Sequence, residues 1–264
     1  MNIESTFGTA TPVIGMVHLG PLPGAPKAAA DGAAAMQSVL EGAVADARAL
    51  ERGGVDGVLV ENFGDAPFHP DDVPKHTVAA TTRAATAVAD ATTLPIGINV
   101  LRNDAEAAVS VAAAVDAAFV RVNVHTGARV TDQGIVEGRA HETLRLRERL
   151  DVDVGIFADT DVKHSAPLTP EGYSAESFAD ATERGLADAV VASGSGTGAA
   201  IDRAALEAVV DERERHGLET PVFLGRGLRP APLGDLPALA DRVLHATALT
   251  PPRDTPARAA ATPA

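Results

Sequence analysis

Residues 53–62 read GGVDGVLVEN, a short glycine-containing turn followed by an apolar run of strand length. Seven similar runs recur at intervals of roughly 25–35 residues, and stretches with apolar residues at helical spacing lie between them. The eight predicted strands cover residues 13–19, 57–62, 96–101, 119–125, 154–160, 189–194, 222–227 and 242–247. Strands that alternate with helices predict a parallel sheet, and eight such units in 264 residues predict an α/β fold, the (β/α)8 barrel.

The connections differ in length at the two ends of the predicted strands. Those that enter strands are short, as at 53–56 and 94–95, whereas those that leave strands are long, as from residues 18 and 62 onward. Barrel enzymes carry their active sites in the loops at the C-terminal ends of the strands. We therefore expect a functional site at this end of the barrel.

The domain organisation follows from where the periodic pattern stops. Residues 1–249 are predicted to form one barrel domain. Residues 250–264 are rich in Pro, Ala and Thr and have no apolar periodicity, which predicts a disordered tail. This tail stands where a last helix is expected, so the final unit of the barrel is predicted to be truncated or irregular.

Composition excludes several classes of protein. The chain has 22 basic and 36 acidic side chains, a net charge of −14, which disfavours binding to nucleic acid. No run approaches the roughly 18 apolar residues of a membrane span, and the N-terminus lacks a secretory pattern, so we expect a cytoplasmic protein. The absence of cysteine excludes disulfides, thiolate nucleophiles and thiolate zinc sites.

The acid excess also carries a hypothesis about salt. Lys27, Lys75 and Lys163 are the only lysines, and the other basic residues are arginine. A carboxylate-rich surface that avoids lysine favours a halophilic protein from a high-salt cytoplasm. A GC-rich genome, which encodes Arg and Ala readily, is the alternative.

The fourth predicted strand is polar along one side. Arg121, Asn123 and His125 alternate with valines. Because a barrel strand is buried on both sides, this alternation is costly unless the polar groups line a site or hydrogen-bond to one another. We interpret Asn123 and His125 as substrate-binding candidates, with a buried hydrogen-bond network as the structural alternative, which applies most to the deeper Arg121.

The fifth predicted strand ends in a second polar group. Asp159, Asp161 and Lys163 share one side by the two-residue period of a strand. A lysine beside carboxylates at a barrel mouth can bind an anion or act as a general acid or base. A salt bridge is the structural alternative. We predict Lys163 and Asp159 to be catalytic and Asp161 to bind substrate.

Strands one to three supply further candidates. His18 and Glu61 end the first and second strands and are predicted to be catalytic acid–base groups. Asn99 ends the third strand and is predicted to bind substrate. Arg102 precedes a helix start, capped by Asn103 or Asp104, and could clamp an anionic substrate.

Glycine-rich turns follow the sixth and seventh strands. Residues 193–198 read SGSGTG and lead into a helix, and residues 225–227 read GRG. Such turns let backbone N–H groups converge on an anion at a helix N-terminus, and barrels often hold a phosphate there. The predicted phosphate-binding residues are Ser193, Ser195, Gly196, Thr197 and Arg226. No metal-ligand spacing is recognisable, so no metal or other cofactor is assigned, and a divalent cation remains a minor alternative.

Several long stretches together resemble the BtpA/SgcQ family. The resemblance runs in order through VIGMVHLGPLPGAP (13–26), GGVDGVLVENFGDAPF (53–68), PIGINVLRNDAEAA (95–108), FVRVNVHTGARVTDQGIVEGRAHETLRLR (119–147), DTDVKHSAPL (159–168) and RGLADAVVASGSGTG (184–198). It implies a TIM-barrel fold. Beyond residue 198 it fades, since GRG at 225–227 stands where GSG is expected and HATA at 245–248 replaces a Gly-Thr/Ser turn.

The resemblance leaves more than one function open. The family takes its name from photosystem I biogenesis, which implies a non-catalytic assembly or regulatory factor as one alternative. The polar strand ends favour an enzyme, an isomerase, lyase or hydrolase that acts on a phosphorylated sugar or nucleoside-derived metabolite. A folded but inactive relative is the third alternative. The partner expected is this small molecule, with homo-oligomer formation left open.

The halophilic hypothesis has a direct test. We expect secondary structure to be lost in dilute buffer and restored in molar KCl, because salt screens repulsion among the 36 acidic side chains. Far-UV circular dichroism across a KCl series measures this change. A spectrum that is the same at every salt concentration would contradict the hypothesis.

Overall fold

Eight parallel strands close into a barrel, as the sequence predicts. The computed structural model describes residues 1–160, 165–168, 177–193, 203–225 and 242–244. The barrel strands are Val13–His18 (β1), Gly57–Glu61 (β2), Ile96–Asn99 (β3), Phe119–Val122 (β4), Gly155–Asp159 (β7), Ala189–Ser193 (β9), Val222–Gly225 (β10) and Arg242–Leu244 (β11). Around the barrel they follow the order β1-β11-β10-β9-β7-β4-β3-β2.

Helices cover the outside of the sheet. Apolar side chains on the outer face of the strands, such as Val58, Ile98 and Val120, pack against the helices in one large core. Asp104 caps its helix by accepting a hydrogen bond from the Ala107 amide at 2.8 Å, which confirms one of the two predicted caps. The helices are Ile3–Phe7 (α1), Gly32–Arg52 (α2), Lys75–Ala89 (α3), Ala105–Ala114 (α4), Ala140–Leu150 (α5), Ser177–Ala179 (α6), which continues as the π-helix Asp180–Arg184, and Arg203–Arg215 (α7).

The strands end earlier than the sequence analysis predicted. β3 stops at Asn99 rather than at residue 101, and β4 stops at Val122 rather than at residue 125. The side chains that follow leave the ladder because they bond to neighbouring loops, as when Asn103 Oδ1 accepts from the Val124 amide at 2.7 Å. The residues after Asn99 and after Val122 continue the strand pattern of the sequence but are the first residues of the loops that follow β3 and β4.

Aromatic rings fill the barrel interior. Phe119 and Phe157 stack at 4.5 Å between centroids, and Phe223 lies 4.8 Å from Phe157. Gly97 on β3 makes room for Phe119, because a Cβ atom at residue 97 would overlap the Phe119 ring. The interior is a packed apolar core below the strand ends.

The first eight residues close the opposite end of the barrel, a role that the sequence analysis did not assign. Phe7 of α1 packs edge-on against Phe119 at 5.8 Å, and Ile3 belongs to the same interior cluster. The terminal amine of Met1 bonds to the carboxylate of Asp188 at 2.8 Å. Helix α1 therefore acts as a plug at the N-terminal ends of the strands.

A small antiparallel sheet, which was not predicted from the sequence, lies beside the barrel. It consists of Ala128–Thr131 (β5), Gly134–Glu137 (β6) and Ser165–Pro167 (β8), in the order β6-β5-β8. Val136 is buried against Val124, which attaches one face of the sheet to the barrel. The predicted tail 250–264 and final helix lie outside the described residues, and the single-domain boundary stays a prediction.

The tight contact at Gly97 generates a stability prediction. Gly97→Ala should lower the free energy of unfolding by about 1–3 kcal/mol, because the new methyl group overlaps the buried Phe119 ring. Chemical denaturation in molar KCl measures the change. Gly32→Ala is the matched control: it lies in α2 with open space around it, so the same substitution should be neutral or slightly stabilising. Equal effects of the two substitutions would contradict the packing argument.

Candidate functional site

Three charged side chains and a histidine form a line across the C-terminal end of the barrel. Each lies two residues beyond an interior apolar residue of the same strand, so it faces inward in the next layer up. We call this group the charged line: His18 from β1, Glu61 from β2, Arg121 from β4 and Asp159 from β7. Charged groups at this depth are costly unless they pair, which makes their pairing the first question.

Arg121 and Asp159 form the buried centre of the charged line. Arg121 Nε and Nη2 donate to the two Asp159 oxygens at 2.9 and 2.8 Å, a bidentate pair. Arg121 Nη1 also lies 3.9 Å from Glu61 Oε1. Burial by itself would lower the pKa of Arg121, but Asp159 and then Glu61 outweigh it and raise the pKa above its usual value. The guanidinium therefore stays charged and holds both carboxylates.

His18 and Glu61 form the outer end of the charged line. His18 Nε2 lies 3.4 Å from Glu61 Oε2, and its ring stacks on Phe63 at 4.5 Å between centroids. The His18 side chain is 21% exposed, against 7% for Glu61. The imidazole is thus the most accessible member of the charged line, with a buried carboxylate behind it.

Two amides extend the site from β3 and from the residue after β4. Asn123 Nδ2 donates to Asp159 Oδ2 at 3.2 Å. Asn99 Nδ2 donates to the Arg121 carbonyl at 2.8 Å and to Asn123 Oδ1 at 3.1 Å. The structure therefore brings Asn99 and Asn123 together with the charged line. A cavity of ≈ 180 Å³ beside Asn123 and Asp159 extends toward Pro167 and Leu168.

The loop after β2 positions the ring that stacks on His18, and the sequence analysis gave it no such role. Asn62 Oδ1 accepts from the Leu101 amide at 2.7 Å, and Asn62 Nδ2 donates to Asp65 at 3.1 Å. Asp65 accepts from the Leu22 amide at 2.8 Å, and burial raises its pKa. This network ties three loops around the short 3-10 turn that presents Phe63. The signal in the sequence is the pair of polar residues that brackets Phe63 in NFGD.

Arg102 lies outside the charged line. Its Nε donates to Gln133 Oε1 at 3.4 Å, and its guanidinium lies 5.9 Å from the centroid of the Phe68 ring. Arg102 Nη2 also lies 3.8 Å from Asp132 at the tip of the β5–β6 hairpin. The structure therefore places the predicted anion clamp between a loop and the small sheet.

His125 also lies outside the charged line. Its Nε2 donates to the carbonyl oxygen of Gly185 at 2.7 Å, and its ring is almost fully buried. Burial lowers the pKa of His125, which favours the neutral imidazole. This position matches the structural alternative in the sequence analysis, and substrate binding by His125 stays a prediction.

Of the predicted phosphate site, the structure describes Ser193. It ends β9, and its buried hydroxyl has no hydrogen-bond partner within the described residues. Six predicted site residues lie outside the described residues: Asp161, Lys163, Ser195, Gly196, Thr197 and Arg226.

Within the part of the chain that the structure describes, no three acidic or histidine side chains are grouped to hold a metal ion. No helix in that part is long and apolar enough to cross a membrane.

A larger groove of ≈ 310 Å³ lies on the outside of the barrel between α4 and α5. Arg139 at its rim pairs with Asp71 at 3.1 Å and Asp72 at 3.3 Å. These are exposed ion pairs, and the groove is separate from the charged line. The chemistry of the barrel mouth, rather than the size of the outer groove, therefore identifies the candidate site.

The fold and the charged line define a TIM barrel with a charged, hydrogen-bonded mouth. Solved TIM-barrel proteins share this architecture at low identity. A tryptophan synthase from M. tuberculosis matches 93% of this chain and 86% of its own, with a TM-score of 0.55 and 19% identity. N-(5'-phosphoribosyl)anthranilate isomerase from Pyrococcus furiosus matches 89% and 88%, with a TM-score of 0.51 and 11% identity. At these identities the likeness is one of fold alone.

Sequence relatives give the family. The chain belongs to the BtpA family, whose model matches residues 9–252. The photosystem I biogenesis protein BtpA of Synechocystis is 44% identical over 94% of this chain and 84% of its own. An uncharacterised protein of Thermococcus kodakarensis is 51% identical over 72% of this chain and 70% of its own length. An uncharacterised mitochondrial protein of Caenorhabditis elegans is 30% identical over 82% of this chain and 77% of its own length. The resemblance noted from the sequence motifs is confirmed.

The buried ion pair generates a stability prediction. Arg121→Met should lower the free energy of unfolding by about 3–5 kcal/mol, because it leaves the Asp159 carboxylate buried without its cation. The double variant Arg121→Met/Asp159→Leu should recover only part of this loss, because Glu61 still lacks the guanidinium. Chemical denaturation in molar KCl measures both.

Arg139→Met is the control for charge removal. Its partners Asp71 and Asp72 are exposed, so the loss should stay within about 1 kcal/mol. An Arg121→Met protein as stable as Arg139→Met would contradict the role given to the buried pair.

Proposed function

We propose that this BtpA-family barrel is an enzyme that acts on a phosphorylated sugar or nucleoside-derived metabolite, as an isomerase, lyase or hydrolase. The observation that carries the proposal is the charged line at the barrel mouth. Burying Glu61, Arg121 and Asp159 in one layer is costly, and a scaffold could fill that layer with apolar residues. The location agrees with the general position of active sites in TIM barrels.

The proposed chemistry is proton transfer by His18. Histidine is the side chain best suited to move protons near neutral pH, and His18 is the most accessible member of the charged line. Glu61 would hold the imidazole in orientation and stabilise its protonated form. Arg121 keeps Glu61 in place, and Asp159 acts through Arg121 as a positioning residue. Lys163 stays a second proposed acid–base group, and Asp161 stays a proposed substrate-binding residue.

Different residues of the barrel mouth are proposed to bind the reacting part and the phosphate group of the substrate. Asn99 and Asn123 would orient the reacting part of the substrate, and Arg102 and His125 stay proposed contacts at its edge. Ser193 and the glycine-rich turns would hold the phosphate, through the residues Ser195, Gly196, Thr197 and Arg226. We infer a cytoplasmic location in high salt for this activity, in keeping with the acidic composition.

A non-catalytic assembly factor is the second candidate. The Synechocystis relative is named for photosystem I biogenesis. The exposed apolar residues Val130 and Ile135 on the small sheet, and Leu168 just after it, would suit contact with a partner protein. An assembly factor could fill the barrel mouth with apolar residues at no loss, so the polar mouth favours the enzyme.

The proposed acid–base pair has a direct test. His18→Asn and Glu61→Gln should each lower the turnover rate about 10²–10⁴-fold while the fold is kept, because proton transfer loses its donor or its orienting group. The assay incubates the protein in molar KCl with pentose phosphates, hexose phosphates and nucleotides, and follows each by phosphorus and proton NMR.

His141→Asn is the matched control. His141 Nε2 also lies near a glutamate, 3.6 Å from Glu142 Oε1, but this pair is on the helix surface with side-chain exposures of 66% and 55%. It should leave turnover unchanged. Full activity in both site variants would refute the proposed roles. A folded wild-type protein that converts none of these compounds would move the proposal to the assembly factor.

A further inference from the structure

One buried oxygen at the barrel mouth has no hydrogen-bond partner within the described residues. It is Oδ1 of Asn99, a residue that is 1% exposed. Both hydrogens of the same amide are donated, one to the Arg121 carbonyl and one to Asn123 Oδ1. The amide is therefore held firmly on its nitrogen side and unsatisfied on its oxygen side.

The direction of this amide is set by Asp159. An ionised carboxylate can only accept hydrogen bonds, so Asn123 must turn its NH2 group toward Asp159 Oδ2. Asn123 Oδ1 then accepts a hydrogen bond from Asn99 Nδ2. This leaves Asn99 Oδ1 as the last group in the series of hydrogen bonds. A flipped Asn99 would put its oxygen against the carbonyl oxygen of Arg121. Asn99 Oδ1 can therefore only accept a hydrogen bond, and only a group with a donor hydrogen can pair with it.

A second unpartnered group lies in the same layer of the barrel. The Ser193 hydroxyl at the end of β9 is buried, and it too has no hydrogen-bond partner within the described residues. In the barrel order, β3 and β9 flank β4 and β7 on either side. The unsatisfied oxygens of Asn99 and Ser193 therefore frame the Arg121–Asp159 pair. Buried polar groups in native proteins are rarely left unpaired, so two in one layer indicate a ligand.

We propose that Asn99 Oδ1 accepts a hydrogen bond from a substrate hydroxyl group and selects hydroxylated sugar phosphates over their deoxy analogues. This inference rests on the proposed function and narrows its substrate class. The oxygen of Asn99 is neutral and matches a neutral hydroxyl donor, whereas an ammonium group would be drawn to the Glu61 carboxylate. A ligand that lacks the hydroxyl leaves the buried oxygen unpaired, which is the most effective form of discrimination.

The test compares ligands that differ by one hydroxyl. Isothermal titration calorimetry in molar KCl measures the binding of inorganic phosphate, ribose 5-phosphate and glucose 6-phosphate, and then of single-deoxy analogues of the sugar that binds more tightly. In the wild-type protein, at least one deoxy analogue should bind about ten- to a hundredfold more weakly. In Asn99→Ala that difference should disappear, because the acceptor is gone.

Thr81→Val is the matched control. Thr81 Oγ1 is also buried without a partner, but it lies in α3 away from the mouth, so the discrimination should stay as in the wild type. If circular dichroism shows that the alanine variant is unfolded, Asn99→Leu replaces it, because leucine is close to asparagine in volume and also lacks an acceptor.

The outcomes separate this inference from the proposed function. Deoxy analogues that bind the wild type as tightly as their parent sugar phosphate overturn the role of Asn99 and leave the proposed function standing. If Asn99→Ala still prefers the hydroxylated sugar phosphate as strongly as the wild type does, the role of Asn99 is likewise overturned and the proposed function stands. If the folded wild type binds neither sugar phosphate nor inorganic phosphate, the proposed function fails, and the inference fails with it.

Discussion

The bidentate contact between Arg121 and Asp159 is the interaction on which the barrel mouth depends. It allows two carboxylates to remain buried in one layer, because a single guanidinium holds Asp159 directly and Glu61 at longer range. Glu61 in turn orients His18, and Asp159 sets the direction of the amides of Asn123 and Asn99. The ion pair thus fixes the positions of Glu61 and Asn123 directly, and those of His18 and Asn99 through them.

The rest of the fold supports this layer. Below it, the rings of Phe119 and Phe157 fill the barrel where Gly97 leaves space, and helix α1 closes the far end. Within the described residues, the layer beneath the charged line is apolar and packed. Low local polarity strengthens electrostatic contacts, so this packing also strengthens the ion pair between Arg121 and Asp159.

Much of the fold could be predicted from the sequence, because each barrel strand is a separate apolar run such as GVLVE at 57–61. The strand ends were predicted too late, since Asn123 and Val124 continue the alternation of β4 and only their loop contacts remove them from the ladder. The plug in α1 and the hairpin of the small sheet were missed. Their few apolar residues, such as Phe7 and Val136, carry no period long enough to be recognised.

The candidate site was predictable as a set of residues but not as a set of contacts. Alternation along β4 indicates that Arg121 faces inward, yet its partner depends on how the strands are staggered around the closed barrel. The position of His125 against Gly185 depends on a loop of the chain 60 residues away.

The most direct test of a sugar phosphate site at the barrel mouth is a crystal structure of the protein grown in molar KCl with ribose 5-phosphate. We expect the sugar to lie within hydrogen-bond distance of His18 and Asn99, with the Arg121–Asp159 pair intact. A sugar bound in the outer groove beside Arg139, with none at the mouth, would contradict it.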